Sequence, residues 1–156
     1  MQAVLLSDAR KKDNACVHAS CVSVAGCGVL IIGASGSGKS GLALQMMAFG
    51  AQLVADDRVQ LEMRQQQVFA DAAPQIGGLI EARYVGLIKA EVSGPVPLGY
   101  VVDLSQNETK RLPEQTTISV LRQTVPLLRG AGVPNLAAAL MQLSRDGRVT
   151  PEWPNE

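Results

Sequence analysis

Apolar runs and alternating segments divide the first part of the chain into strands, a loop and a helix. Residues 16–24 alternate in part between apolar and polar side chains, which predicts a strand. Two glycines then indicate a hairpin into the apolar run 28–32, which is typical of a buried strand. A helix is predicted over 40–48, and Gly50 stands where helices commonly end. The pattern therefore predicts a hairpin followed by a strand–loop–helix unit.

The rest of the chain shows mainly short strand patterns. The apolar run 51–55 predicts a buried strand, and 74–78 marks a break. The segment 79–92 is apolar with interspersed charge, and its pattern does not decide between helix and strand. A charged loop or short helix is expected at 106–111, and a helix at 135–144. Further strands are predicted at 59–63, 67–70, 98–104, 116–121 and 123–128.

Length and composition indicate one compact domain. The chain has 156 residues, 47% of them hydrophobic, which is enough for a sizeable core. We place this domain at 16–148, between an N-terminal extension at 1–15 and a loose tail at 149–156. Within the extension, the charged residues 7–14 are expected to form an exposed linker or turn. A formal net charge of zero and an aromatic content of 3% argue against nucleic-acid binding.

The three cysteines, Cys16, Cys21 and Cys27, suggest a reduced protein. Their spacing matches no common zinc pattern, and an odd count leaves one unpaired in any disulfide scheme. We therefore expect reduced core residues. The opening apolar run is too short for a signal peptide, and no stretch reaches membrane-spanning length. These features favour a cytoplasmic enzyme without membrane contacts.

A phosphate-binding loop pattern, G-x-x-x-x-G-K-[ST], lies between the predicted strand and helix. Its glycines permit backbone angles that side chains forbid, and its amides can form a nest for phosphate oxygens. The lysine would place a charge among the phosphates, and the serine would put a hydroxyl on a magnesium ion. A Gly/Ser-rich turn could match by chance, but the flanking elements favour a nucleotide site. The predicted cofactor-binding residues are Gly33, Ala34, Ser35, Gly36, Ser37, Gly38, Lys39 and Ser40.

Two adjacent carboxylates, Asp56 and Asp57, directly follow the predicted strand 51–55. If this strand lies next to the strand that feeds the loop, both carboxylates end near the terminal phosphate. One could bind magnesium, and the other could orient or deprotonate an attacking hydroxyl. The alternative is that Asp57 pairs with Arg58 on a solvated turn.

Together these residues resemble the catalytic domain of the HPr kinase/phosphorylase family. The loop is followed at 53–59 by Leu-Val-Ala-Asp-Asp-Arg-Val, and His18 precedes it where the family has a catalytic histidine. Glu81-Ala82-Arg83 is similar to the family's Glu-x-Arg motif, and Arg111 precedes a leucine as a family arginine does. The loop is common to many nucleotide enzymes, whereas the order of these motifs is far more specific. The resemblance covers most of the chain.

The resemblance implies an α/β P-loop fold akin to that of phosphoenolpyruvate carboxykinase, with a mixed sheet and flanking helices. Family members use ATP and Mg²⁺ to phosphorylate a serine of the phosphocarrier protein HPr, and many also remove that phosphate by phosphorolysis. They form homo-oligomers, often hexamers. Asp57 would be the acid/base and Asp56 its electrostatic neighbour. Carried over by position, the catalytic residues are His18, Lys39, Asp56, Asp57 and Arg111, and the magnesium residues are Ser40 and Glu81.

Other interpretations stay open from the sequence. The same core could act on a small metabolite, or it could sense nucleotide without turnover. Retention of the Asp56-Asp57 pair and Glu81 favours an enzyme. Lys110 is the alternative to Arg111 as the relevant cation. Tyr84 follows the Glu-x-Arg motif where a glycine is more usual, and longer family members have a further N-terminal domain and a C-terminal helix that helps to grip HPr.

Overall fold

The computed structural model describes residues 2–74 and 77–149. A 3-10 helix, Leu6–Ala9, comes first. Within these ranges the α-helices are α1 Lys39–Ala48 and α2 Leu136–Asp146. The strands are β1 Asn14–His18, β2 Ser20–Val24, β3 Cys27–Ile32, β4 Gln52–Ala55, β5 Arg58–Arg64, β6 Gln67–Ala72, β7 Leu79–Ala82, β8 Gly86–Lys89, β9 Val96–Asn107, β10 Thr116–Val120 and β11 Gln123–Ala131.

Nine of the strands in the described residues form one mixed sheet. Its order is β1-β5-β6-β9-β3-β2-β4, with β11 also beside β9 and β10 beside β11. Strand β9 runs parallel to both β3 and β11, whereas the other pairings within the sheet are antiparallel. The hairpin β7–β8 forms a separate two-stranded sheet. A mixed sheet with flanking helices is the architecture that the family resemblance implies.

The strand β3 is buried on both faces, and so it feeds the loop from a fixed position. Successive side chains of a strand point to opposite faces. Val29 and Ile31 accordingly pack with the buried faces of α1 and α2, and Leu30 packs with residues of β5 and β6 on the other side. All three are fully buried, and burial of both faces explains the continuous apolar run.

Several local expectations differ from the structure. The single strand expected at 16–24 is two strands, because the chain breaks at Ala19, whose amide donates to the carbonyl of Asp57. The undecided segment 79–92 contains the hairpin β7–β8. Strand β9 continues to Asn107, into the region expected to be a loop or short helix.

The expected linker at 7–14 is instead attached to the domain. It contributes to the 3-10 helix, in which Ala9 is fully buried, and its last residue begins β1. The amide of Leu121 donates to the carbonyl of Ala9, and Arg122 forms an ion pair with Asp13. Seven of these eight residues are exposed, as expected, but side-chain charge does not reveal backbone hydrogen bonds to a distant turn.

Parts of two predictions lie outside the described residues. The tail predicted at 149–156 is described only at Val149, and the break predicted at 74–78 lacks residues 75 and 76. Neither helix in the described ranges is long and apolar enough to cross a bilayer.

Candidate active site: a phosphate-binding loop beside an aspartate pair

The loop between β3 and α1 has a backbone that favours glycine. Gly33 has φ of 150° and Gly38 has φ of 103°, angles that side chains rarely adopt. A Cβ at Gly33 would also lie 2.5 Å from Oγ of Ser37. The amide of Ala34 donates to Oγ of Ser105 at 2.8 Å, which ties the start of the loop to β9. The glycines therefore allow the tight path that the sequence pattern predicts.

The loop carries two sources of positive charge, the ammonium of Lys39 and the N-terminus of α1. Nζ of Lys39 donates to the carbonyl oxygens of Gly33 and Ala34, at 3.0 and 3.2 Å. The helix α1 begins at Lys39, so its unpaired N-terminal amides and dipole favour an anion at the same place. These are the features of a phosphate site.

Asp56, just after β4, joins three elements through its carboxylate. Its Oδ1 accepts hydrogen bonds from Oγ of Ser20 and from Oγ of Ser40, both at 2.7 Å. Its Oδ2 accepts a longer bond, 3.3 Å, from the amide of Glu81. Both in-plane lone pairs of Oδ1 are thereby used. Asp56 is therefore a fixed acceptor inside the site.

The strand before Asp56, β4, is not the direct neighbour of the strand that feeds the loop. Strand β4 pairs with β2, and β2 lies between β4 and β3. The condition stated for the sequence, that β4 lies next to the loop strand, is not met, because the antiparallel strand β2 lies between the two. The hydrogen bond from Ser40 to Asp56 nevertheless joins the end of β4 to the loop.

Asp57 occupies a strained backbone position. Its φ is 67°, and the amide of Arg58 donates to the carbonyl of Asp56 at 2.7 Å, closing a three-residue turn around it. Non-glycine residues at positive φ are costly and are concentrated at functional sites. The Asp57 side chain lines the cleft and forms no ion pair with Arg58, in contrast to the solvated-turn alternative.

One cleft of about 730 Å³ brings most of the predicted residues together. The loop lines it together with His18 at the end of β1, with Asp57, and with Glu81 and Arg83 of the β7–β8 hairpin. Seven of the eight loop residues, all but Ser37, line it. Four separate parts of the chain thus supply polar groups to one space.

Arg111 lies elsewhere. It is exposed and lines a second cavity of about 550 Å³, whose floor includes residues of β11 and α2. Lys110, its alternative, lines the same cavity. Neither residue borders the cleft of the phosphate-binding loop. Their catalytic assignment stays a prediction.

The cysteines stand apart from this chemistry. Cys16 and Cys21 are buried, Cys27 is half-buried, and all three are free thiols. Burial raises the pKa of the Cys21 and Cys27 thiols, which disfavours the reactive thiolate. Within residues 2–74 and 77–149, no three His, Cys, Asp or Glu side chains form a cluster able to hold a metal ion. A cation in the cleft would therefore need other ligands, such as the phosphate oxygens of a bound nucleotide.

Two serines of the site were missed by sequence reasoning. Ser20 and Ser105 bind Asp56 and the loop, at sequence separations of 36 and 71 residues. Both lie inside strands whose alternation predicts only the secondary structure. Neither serine stands out in the sequence, and only the structure shows that Ser20 is 1% exposed and hydrogen-bonded to Asp56.

Comparisons with known proteins support the resemblance to the HPr kinase/phosphorylase family. Residues 10–94 match the family model for the HPr Serine kinase C-terminal domain. The HPr kinase/phosphorylase of Limosilactobacillus reuteri (strain DSM 20016) is 45% identical over 73 residues, which cover 46% of this chain and 23% of the relative. That of Lactobacillus delbrueckii subsp. bulgaricus is 31% identical over 142 residues, covering 80% of this chain and 45% of the relative. This chain thus spans less than half the length of either relative.

A solved structure has the same architecture. The HPr(Ser) kinase/phosphatase from Coxiella burnetii superposes with a TM-score of 0.72 at 26% identity, over 83% of this chain and 93% of that chain. The predicted α/β P-loop fold, similar to that of phosphoenolpyruvate carboxykinase, is therefore confirmed. The matched residues 10–94 are more than half of the chain and include the loop, the aspartate pair and Glu81. The chain belongs to the HPr serine kinase C-terminal domain family.

Proposed function

We propose that this chain transfers the terminal phosphoryl group of ATP to a serine hydroxyl of HPr, with Mg²⁺. One observation supports this most: the exposed carboxylate of Asp57 and the phosphate-binding loop line the same cleft. A phosphoryl donor and a base for the acceptor hydroxyl would meet there. Family membership and the names of the relatives identify HPr as the acceptor to test first.

The residues present fit ATP and Mg²⁺. The loop amides and Lys39 would hold the phosphates, and ATP supplies the group to be transferred. Magnesium takes oxygen ligands, and the cleft offers the hydroxyl of Ser40 and the carboxylate of Glu81. When bound, the cation offsets charge on the phosphate oxygens.

The transfer itself places different demands on two acids. A serine hydroxyl is a weak nucleophile, so Asp57 would accept its proton as the new O–P bond forms and the bond to the leaving ADP oxygen breaks. Asp56 is unsuited to that task, because Oδ1 already accepts two hydrogen bonds. Lys39 would stabilise charge on the transferred group, and His18 borders the same space.

Three further proposals rest on the family resemblance: the reverse reaction, self-assembly of the chain and its cellular location. With Asp57 acting as an acid toward the serine oxygen, inorganic phosphate would attack the phosphorus of phosphoserine-HPr, and the serine and pyrophosphate would be released. We also propose a homo-oligomer, for which hexamers are the family precedent, working in the cytoplasm. Arg111 follows β9, which ends beside β3 at the same sheet edge. It would reach the cleft only if the segment after β9 changes conformation.

The direct test is incorporation of labelled phosphate. The purified chain is incubated with labelled ATP, Mg²⁺ and HPr, and the labelled residue is located by mass spectrometry. Label on one HPr serine, lost when that serine is replaced by alanine, supports the proposal. Label on a small hydroxyl compound alone would indicate a metabolite kinase, and nucleotide binding without transfer would indicate a sensing module.

A further inference from the structure

Ser20 is a buried hydroxyl that none of the predicted roles uses. It is the first residue of β2 and only 1% exposed, yet it touches the cleft. Its Oγ donates to Oδ1 of Asp56 at 2.7 Å. The same oxygen accepts the hydrogen bond from Ser40, also at 2.7 Å. Two serines from different elements therefore meet on one carboxylate oxygen.

The proton positions follow from simple counting. A serine hydroxyl has one proton and two lone pairs. Ser40 gives its only proton to Asp56, so the part of Ser40 that remains is an oxygen with free lone pairs. Such an oxygen suits a hard divalent cation. An Asp56 carboxylate that rotated away would let the Ser40 hydroxyl turn as well.

We propose that Ser20 is a positioning residue for the divalent cation: it fixes the Asp56 carboxylate, and Asp56 in turn orients the Ser40 hydroxyl. This rests on the proposed function, in that the cation belongs to the bound nucleotide. Ser20 touches neither the phosphates nor the acceptor in this scheme. Its influence passes only through Asp56 and Ser40.

The competing explanation is that Ser20 simply fills space at the start of β2. The chain offers a control, because Ser23 is a second buried serine on the same strand, 5% exposed, and makes no side-chain hydrogen bond to Asp56. A generic effect of losing a buried hydroxyl from β2 should appear at both serines. An effect on the cation should appear at Ser20 alone.

The experiment measures binding of a fluorescent ADP analogue during a Mg²⁺ titration, and again in EDTA. Threonine and valine have nearly the same shape, so comparing Ser20→Thr with Ser20→Val isolates the hydroxyl. We expect Ser20→Val and Ser20→Ala to need on the order of tenfold more Mg²⁺, as residues behind a metal ligand usually do. Ser20→Thr and Ser23→Ala should titrate like the parent, and affinity in EDTA should be unchanged throughout.

The outcomes separate this inference from the proposed function. Coinciding Mg²⁺ curves for Ser20→Val and Ser20→Thr would overturn it, as would an equal loss of affinity in EDTA. Unfolding of both Ser20→Ala and Ser20→Val, seen by circular dichroism, would assign Ser20 a purely structural role. If the parent binds Mg²⁺-nucleotide and the Ser20 variants behave as expected but HPr is not labelled, only the choice of acceptor fails. A parent without Mg²⁺-dependent binding would overturn both proposals.

Discussion

Asp56 and Asp57 are the same amino acid in adjacent positions, but their surroundings differ. Asp56 is half-buried and accepts hydrogen bonds from Ser20, Ser40 and the amide of Glu81. Asp57 is exposed, and its backbone is held at positive φ so that its side chain lines the cleft. Of the two, Asp57 is therefore the carboxylate that we propose as the acid/base.

Replacing Asp57 by asparagine should slow transfer by roughly 10²–10⁴-fold, the usual contribution of a positioned acid or base. Asparagine cannot take the proton, but it keeps the shape and tolerates positive φ, so the turn should survive. Single-turnover transfer to HPr measures the effect, with a nucleotide titration to show unchanged affinity. The matched control is Asp56→Asn, which should instead weaken Mg²⁺-dependent nucleotide binding. Near-parent rates in Asp57→Asn would exclude Asp57 as the base.

Glu81→Gln should raise the Mg²⁺ concentration needed for activity, because the amide keeps the size of the side chain and loses the charge that attracts a cation. The effect is measured as the midpoint of a Mg²⁺ titration of transfer. Glu91→Gln is the control, since Glu91 is an exposed acid that accepts from Gln52 and does not line the cleft. If both variants follow the parent curve, Glu81 does not serve the cation.

At the scale of elements, strands and helices with strong periodic patterns were predicted well, whereas contacts between residues far apart in the sequence were not. The loop strand β3, the helix α1 and the β5–β6 hairpin all occur close to their predicted positions. That hairpin turns through Gln65 and Gln66, both at positive φ, which is the twist a two-residue turn requires. The β7–β8 hairpin was undecided, because its exposed outer strand carries Leu87 and hides the alternation.

In the candidate site, likewise, residues in local motifs could be predicted and residues that depend on distant contacts could not. The local loop motif and the acid pair could be recognised as chemistry from their sequence, and His18 and Glu81 through the family resemblance. Ser20 and Ser105 could not, because their partners are distant in sequence and a serine in a strand has no distinctive pattern. The position of Arg111 was also beyond the sequence, because it depends on the path taken after β9.

The contact between β11 and α2 depends on one small residue. Gly130 is buried, and a Cβ there would lie 2.9 Å from Val102, 3.0 Å from Leu136 and 3.1 Å from Leu104. Gly130→Ala should therefore destabilise the domain by about 1–3 kcal/mol, as expected for overpacking. Urea unfolding measures the change. Gly94→Ala is the control, since its added Cβ meets nothing within 4 Å; equal stability of both variants would contradict the close packing.

At the scale of the whole molecule, nucleotide binding should report on global stability. A ligand that binds only the folded chain, at a hundred times its Kd, adds about 2.7 kcal/mol to the free energy of unfolding. For a chain of this size each kcal/mol raises Tm by roughly 2–4 °C, so Mg²⁺-nucleotide should raise it by roughly 5–10 °C. Lys39→Ala should fold normally and abolish both this rise and HPr labelling, because the loop loses its charge among the phosphates.

Thermal melts with and without nucleotide measure this shift. Lys89→Ala removes the same charge from an exposed position on β8 and should keep the parent's rise in Tm. An undiminished rise in Lys39→Ala would show that the nucleotide binds away from the loop.

Strand β9 has a consequence for how the protein is made. The strand that feeds the loop, β3, gains its parallel neighbour only when Leu98–Asp103 have been added, and β6 pairs with the start of the same strand. At roughly 5–20 residues per second, the ribosome needs several seconds to reach that point after completing β3. During that interval one hydrogen-bonding edge of an apolar strand stays open, and such edges pair readily with other chains. Slower translation between β3 and β9 therefore lengthens the period in which a nascent chain can aggregate.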